Sequence, residues 1–178
     1  MPQKKDYKIA VTDVIIITTG GTIEKTYDEF DGSLENRGTV IKNRILSKLR
    51  LPYTNIHIVP LMSKDSLFMD DTDRDLLAKT LLEETKKNSP IVVLHGTDTM
   101  AQSAKYCFEQ IKNLSVPVVF TGAMIPMGFE DTDATQNVTE ALLAAKLLEA
   151  GFYISFHNQI FLVPHVQKNK EKRTFEGI

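Results

Sequence analysis

A single cysteine among 178 residues removes an internal disulfide from consideration. Cys107 falls on the apolar face of a helical pattern, where interior packing is expected rather than a reactive thiol. Long apolar runs are also missing: none reaches bilayer-spanning length, and the lysines after Met1 lead into a strand-like segment broken by Asp13, not a signal-peptide core. Nor does one sign of charge prevail. The net charge is -2 with both signs interspersed, which leaves no footprint for nucleic acid or for a membrane surface. A reducing, cytoplasmic setting and small neutral or zwitterionic partners are therefore expected. Asn113-Leu114-Ser115 and Asn137-Val138-Thr139 fit the glycosylation pattern, which means little without export.

Several catalytic signatures are absent too. Gly20-Gly21-Thr22 follows a strand, yet the third glycine of the dinucleotide fingerprint is lacking, and no segment has the Walker spacing. His57, His95, His157 and His165 are scattered, with no pair at helical spacing beside a carboxylate, so no metal and no other cofactor is expected. No serine sits in a nucleophile elbow, so a hydrolase built on this sequence would have to use threonine.

What is present is alternation of strands and helices, in a length suited to one domain over residues 1–178. Val14–Ile17 reads as a strand covered on both faces, Ile56–Val59 as a second ended by Pro60, and Ile91–Leu94, Val116–Thr121 and Phe152–Phe156 as further strands, with Ile160–Val163 after them. Between them, Val40–Leu49 predicts a short amphipathic helix. A second helix is capped at Asp71 or Thr72, with a stripe of Leu76, Leu77, Leu81, Leu82 and Thr85. A third carries Ala101, Ala104, Phe108 and Ile111, and a fourth carries Val138, Ala141, Leu142, Ala145 and Leu148, closed by Gly151. Thr22–Leu34 reads as a loop or short hairpin, a candidate lid, and Gln167–Arg173 as a basic tail. The order predicts an α/β fold: three-layer, mainly parallel, doubly wound and Rossmann-like, in a single domain. Polar clusters after the first, third and fourth strands then emerge at one sheet edge.

Threonine recurs at that edge, as Thr22, Thr97, Thr99 and Thr121, with Asp98 beside Thr97. Taken alone, Thr22 also fits a cap or turn residue. As a nucleophile it is weak at neutral pH and needs a positioned base, and acyl transfer needs backbone N–H donors, which the adjacent glycines offer. Tyr27 and a lysine of the tail are the candidates for the base.

Together, Thr19-Gly20-Gly21-Thr22-Ile23 and His95-Gly96-Thr97-Asp98-Thr99-Met100 resemble the two signature motifs of the bacterial-type L-asparaginases, and Gly122-Ala123-Met124 is similar to a third segment of that family. The resemblance runs over nearly the whole chain, but only to the N-terminal domain of the long enzymes. It implies hydrolysis of L-asparagine to L-aspartate and ammonia, with Thr22 as nucleophile and an acyl-enzyme that water releases. Tyr27 would hydrogen-bond Thr22 and help take its proton, while Thr97, Asp98 and Lys168 would form a triad that activates water or assists the first attack. Asp98 would also pair with the substrate ammonium, Ser63 would bind its carboxylate and the carbonyl of Ala123 would accept from the leaving amide. Gly21, Gly96 and Asp65 fall among the implied substrate-binding positions. A lysine has an ordinary pKa of about 10.4, so Lys168 needs burial or a neighbouring cation to act as a base.

Lys64, where many long enzymes have glutamine, could pair with the substrate carboxylate in place of groups from the second domain. That lysine, the closeness of Tyr27 to Thr22 and a shorter loop before Lys168 resemble short-chain members lacking the C-terminal domain. A homo-oligomer, dimer or tetramer, is implied. Glutamine hydrolysis, which costs only about 1 to 3 kcal/mol of discrimination per methylene, and a catalytically silent amino-acid-binding domain are the alternatives.

Overall fold

Strand β1 (Thr12–Gly20) carries four consecutive β-branched residues, Val14 to Ile17, and side chains that alternate faces then need apolar cover on both. In the computed structural model, which describes residues 11–28, 30, 32–36 and 41–178, they find it. Ile15 and Ile17 join one cluster with Leu77, Leu81, Ala104 and Cys107. Val14 and Ile16 join another with Ile41, Val138 and Ala141.

Along the chain follow β2 (Lys25–Asp28), β3 (Ser33–Asn36), α1 (Ile41–Arg44), β4 (Thr54–Lys64), α2 (Asp71–Thr85), β5 (Ile91–Leu94), α3 (Met100–Gln110) and β6 (Pro117–Thr121). After them come α4 (Ala134–Leu147), β7 (Gly151–Phe156), β8 (Gln159–Leu162), β9 (Val166–Asn169) and β10 (Thr174–Gly177). A six-stranded sheet has the order β4-β1-β5-β6-β7-β8. Its first five strands are parallel, and β8 returns antiparallel to β7. Helices α2 and α3 cover one face, α1 and α4 the other, which is the doubly wound three-layer α/β arrangement. Because β4 and β5 lie on opposite sides of β1, the winding reverses there, and a crevice opens beyond the carboxyl ends of β1 and β5.

Several elements differ from the sequence expectation. Strand β4 runs through Pro60 to Lys64, which an edge strand tolerates because its outer side has no ladder partner to lose. The buried stripe of α2 is Arg74, Leu77, Ala78, Leu81 and Thr85, leaving Leu76 and Leu82 about half exposed. Its cap is Asp70, in a reciprocal capping box with Asp73, and neither Asp71 nor Thr72, the two expected positions just after it. In α3 the inward residues are Met100, Ser103, Ala104 and Cys107, and Phe108 turns partly to solvent. Burial pushes the Cys107 thiol up to about 12, as suits a packing residue.

Gly151 opens β7 and does not cap α4, which ends at Leu147 with Leu148 already extended. The short helix near residue 45 divides into α1 and a 3-10 turn, Leu46–Lys48, while Val40 lies outside the described residues. The stretch after Thr22 forms the β2–β3 hairpin, with residues 29 and 31 of that stretch likewise outside. The basic tail is a second hairpin, β9–β10. Among the described residues, no helix is long and apolar enough to cross a membrane.

Candidate active site

Where β1 ends, Gly20 and Gly21 both have positive φ, and Gly21, at φ 82° and ψ -176°, occupies a region that is essentially glycine-only. The absence of side chains lets three turns touch. A Cβ on Gly20 would lie 2.4 Å from Lys64 N at the end of β4. One on Gly21 would lie 2.4 Å from both Cα and N of Gly96, just past β5, and one on Gly96 would meet Ser66 Oγ at 2.5 Å. Gly21 N–H donates to Lys64 O at 3.0 Å. The turns after β1 and β5 therefore abut, and Thr22 and Thr97 each stand one residue beyond the contact.

Thr22 begins a 3-10 turn, Thr22–Glu24, and is half-buried; the cap position belongs to Gly21. Thr97 is 3% exposed, and Lys168 Nζ donates to its Oγ1 at 2.7 Å and to Asp98 Oδ1 at 2.8 Å. Lys168 reaches this point because β9 alternates: Val166, two residues earlier, is buried on the same face, and Phe175, paired with Lys168 in the hairpin, packs edge-on against Phe156. Its side chain is only 17% exposed. The other edge threonines are committed to backbone, Thr99 Oγ1 to Ser66 O and Thr121 Oγ1 to Ser155 O.

The remaining expected residues are placed as follows. Ser63 lies on β4 beside Lys64, which is in register with Gly20. The Lys64 ammonium pairs with Asp73 at the start of α2, so a role at a substrate carboxylate requires that pair to be shared or broken. Asp65 accepts from Lys25 Nζ at 2.6 Å and from Leu67 N at 3.0 Å. Burial would raise its carboxyl, but those donors outweigh it and hold it below the usual value. Ala123 is fully buried in the loop after β6. Tyr27 is 62% exposed on β2 and, among the described residues, makes no hydrogen bond to Thr22.

Sequence reasoning passed over several residues here. Glu24, 1% exposed, accepts from Gly20 N at 3.1 Å and braces the first glycine of the turn. Ser66 fills the space that Gly96 leaves. His95 is fully buried with Nδ1 2.8 Å from Gly96 O; burial, with the Arg74 charge adding to it, pushes its pKa down to about 4. A cleft of about 700 Å³, lined in part by Asp98, Lys168, Met124, Asp133 and His157, opens beside the triad. Glu24, Ser66, Asp133 and His157 lie outside the quoted motifs, and a carboxylate four residues after Gly20 is the one usable hint; His95 opens the second motif but carries no role in it.

Residues 13–176 match the family described as "Asparaginase, N-terminal". The chain is 28% identical over 158 residues to an L-asparaginase of Thermococcus kodakarensis, covering 87% of this chain and 47% of that protein. It is 32% identical over 152 residues to a glutamyl-tRNA(Gln) amidotransferase subunit of Thermoplasma volcanium, covering 83% of this chain and 36% of that one. The solved structure of the thermostable L-asparaginase from Thermococcus kodakarensis superimposes with a TM-score of 0.85 at 26% identity, over 94% of this chain and 51% of the other. The chain thus spans about half the length of that asparaginase.

Proposed function

Since the chain belongs to the asparaginase family, matching its N-terminal part, we propose that it is an amidohydrolase that converts L-asparagine to L-aspartate and ammonia. The observation that supports this reading is the close approach of Gly21 to Gly96, which brings the turn that carries Thr22 beside the turn that carries Thr97, whose hydroxyl, like Asp98, accepts from Lys168.

In this reading Thr22 Oγ1 attacks the side-chain amide carbon, backbone N–H groups of the glycine turns hold the oxyanion, and the C–N bond breaks as ammonia leaves with the proton that Thr22 gives up. Tyr27 takes part in that proton transfer by moving in from its exposed place on the hairpin. Thr97, with Lys168 on its hydroxyl, then activates the water that cleaves the ester at Thr22 and releases aspartate. Asp98 pairs with the substrate ammonium, Ser63 with its carboxylate, and Ala123 O accepts from the amide NH2. Gly21 and Gly96 line the crevice, Lys64 and Asp65 lie at its rim, no cofactor takes part, and the working form is a cytoplasmic homo-oligomer.

The test is ammonia release from L-asparagine by the purified chain, lost in Thr22→Ala, with glutamine as the competing substrate. Binding of aspartate without any turnover would instead mean a silent amino-acid sensor. The match to an amidotransferase component favours one second reading, in which the same threonine chemistry frees ammonia for transfer to another protein's substrate. Ammonia release that stays low until such a partner is added would select it.

A further inference from the structure

The loop after β6 lies against the Thr97 turn. A Cβ on Gly122 would sit 2.3 Å from His95 O and 3.0 Å from Met100 Cε, so backbone is pressed on backbone at this point too. Met124 and Ile125, which follow Ala123, bring no charge of their own to hold the loop there. Asp133, the residue before α4, supplies it. Its carboxylate accepts from Met124 N with both oxygens at 3.0 Å, from Ile125 N at 3.0 Å, from Asn137 Nδ2 at 2.9 Å, and lies 2.9 Å from His157 Nε2. Asn137 adds a bond from Nδ2 to Gly122 O at 3.0 Å and accepts from His157 N at 3.1 Å. Burial alone would raise the Asp133 carboxyl, but this set of donors outweighs it and keeps the group below its ordinary value, a charged acceptor at neutral pH.

We propose that Asp133 is a positioning residue for amide hydrolysis: through the Met124 and Ile125 amides it fixes where the Ala123 carbonyl stands, and Asn137 and His157 fix Asp133 in turn. The inference rests on the reading of the site as an amidohydrolase centre. Its chemical content is selectivity. A carbonyl at the amide end of the substrate accepts from an NH2 group and repels a carboxylate, so its position governs how well asparagine is held relative to the aspartate product. Among the described residues, Asp133, Asn137 and His157 make no hydrogen bond to Thr97 or Lys168, although Asp133 and His157 line the same cleft as Lys168.

The test is Asp133→Asn, which keeps the shape but turns an NH2 group toward at least one of the donors. With folding checked by near-ultraviolet circular dichroism, the expected result is a KM for asparagine raised about tenfold with kcat lowered far less. His157→Gln, which keeps a donor toward Asp133, should stay near wild type, whereas His157→Ala should move in the direction of Asp133→Asn. Hydrogen exchange gives a readout that needs no turnover: the Met124 and Ile125 amides should be protected in the wild type and exposed in Asp133→Asn. An unchanged KM with a smaller active fraction, or unchanged exchange at those two amides, would overturn the proposal. Loss of protection in Asp133→Asn, set beside a wild-type chain that protects both amides but never hydrolyses asparagine, would leave Asp133 as the anchor of the loop and remove the catalytic reading instead.

Discussion

Gly21→Ala is the sharpest perturbation of the crevice. At φ 82° and ψ -176° an L-residue is strained by about 1 to 3 kcal/mol. The new methyl would also stand 2.4 Å from Gly96 Cα and from Gly96 N, backbone atoms that cannot swing aside as a side-chain end would. Overpacking of that kind costs a further 1 to 3 kcal/mol, roughly. The sum, about 2 to 6 kcal/mol, is a large share of the 5 to 15 kcal/mol that typically stabilises a domain. At about 2 to 4 °C per kcal/mol for a chain of this size, melting should fall by at least 4 °C or so. Any relief must separate the two turns, and a displacement near 1 Å between reacting groups costs about 100-fold in rate. Gly128→Ala is the control, because there the nearest atom is Nη1 of Arg44, the far end of a flexible chain, and stability should stay within about 0.5 kcal/mol. Differential scanning calorimetry and an ammonia assay read both effects. A Gly21→Ala protein that melts and turns over like the wild type would refute the contact between the turns.

Thr97→Val, which removes the hydroxyl that Lys168 meets at 2.7 Å, should lower kcat on asparagine by about 10² to 10⁴ with a nearly unchanged melting temperature, and Lys168→Met should do the same. Asp70→Ala breaks the capping box of α2 and should cost about 1 kcal/mol in urea unfolding while turnover is kept. His95 titrates near 4 in the folded chain against about 6.5 when unfolded, so as pH falls the unfolded state takes the proton first, and stability is lost from about pH 6.5 down to about 4. At pH 5 that loss is about 2 kcal/mol, and His95→Gln should show a shallower decline between pH 7 and 4.5 in chemical unfolding. An unchanged slope would exclude His95 as the source.

Much of the scaffold could be read from side-chain pattern. Val14–Ile17 and Ile91–Leu94 are runs that only a strand buried on both faces explains, and the glycine turns after them mark where bare backbone must approach. What escaped was decided by tertiary context. Five inward positions of α2 include Arg74 and Ala78, and leucines at 76 and 82 disguised the true stripe. Pro60 ends a central strand but not an edge strand, and the sequence does not say which β4 is.

Lys168 was found through the motif likeness, while its route was hidden: β9 is four residues long, and its alternation of Val166 and Lys168 inward is lost among neighbouring charges. Asp133 stands in the acidic stretch Glu130-Asp131-Thr132-Asp133, where nothing local distinguishes a carboxylate that gathers donors from α4 and from the loops after β6 and β7 from one that faces water. Lys64 illustrates the converse. Its position suggested a free cation, and Asp73, nine residues on, takes it up.

The most direct measurement is rapid acid quench of the chain with L-asparagine followed by peptide mass mapping, alongside Thr97→Val to slow release of the intermediate. An aspartyl ester on the peptide that contains Thr22, accumulating in Thr97→Val and absent from Thr22→Ala, is the expected result. An ester on Thr97, or ammonia release undiminished in Thr22→Ala, would contradict it.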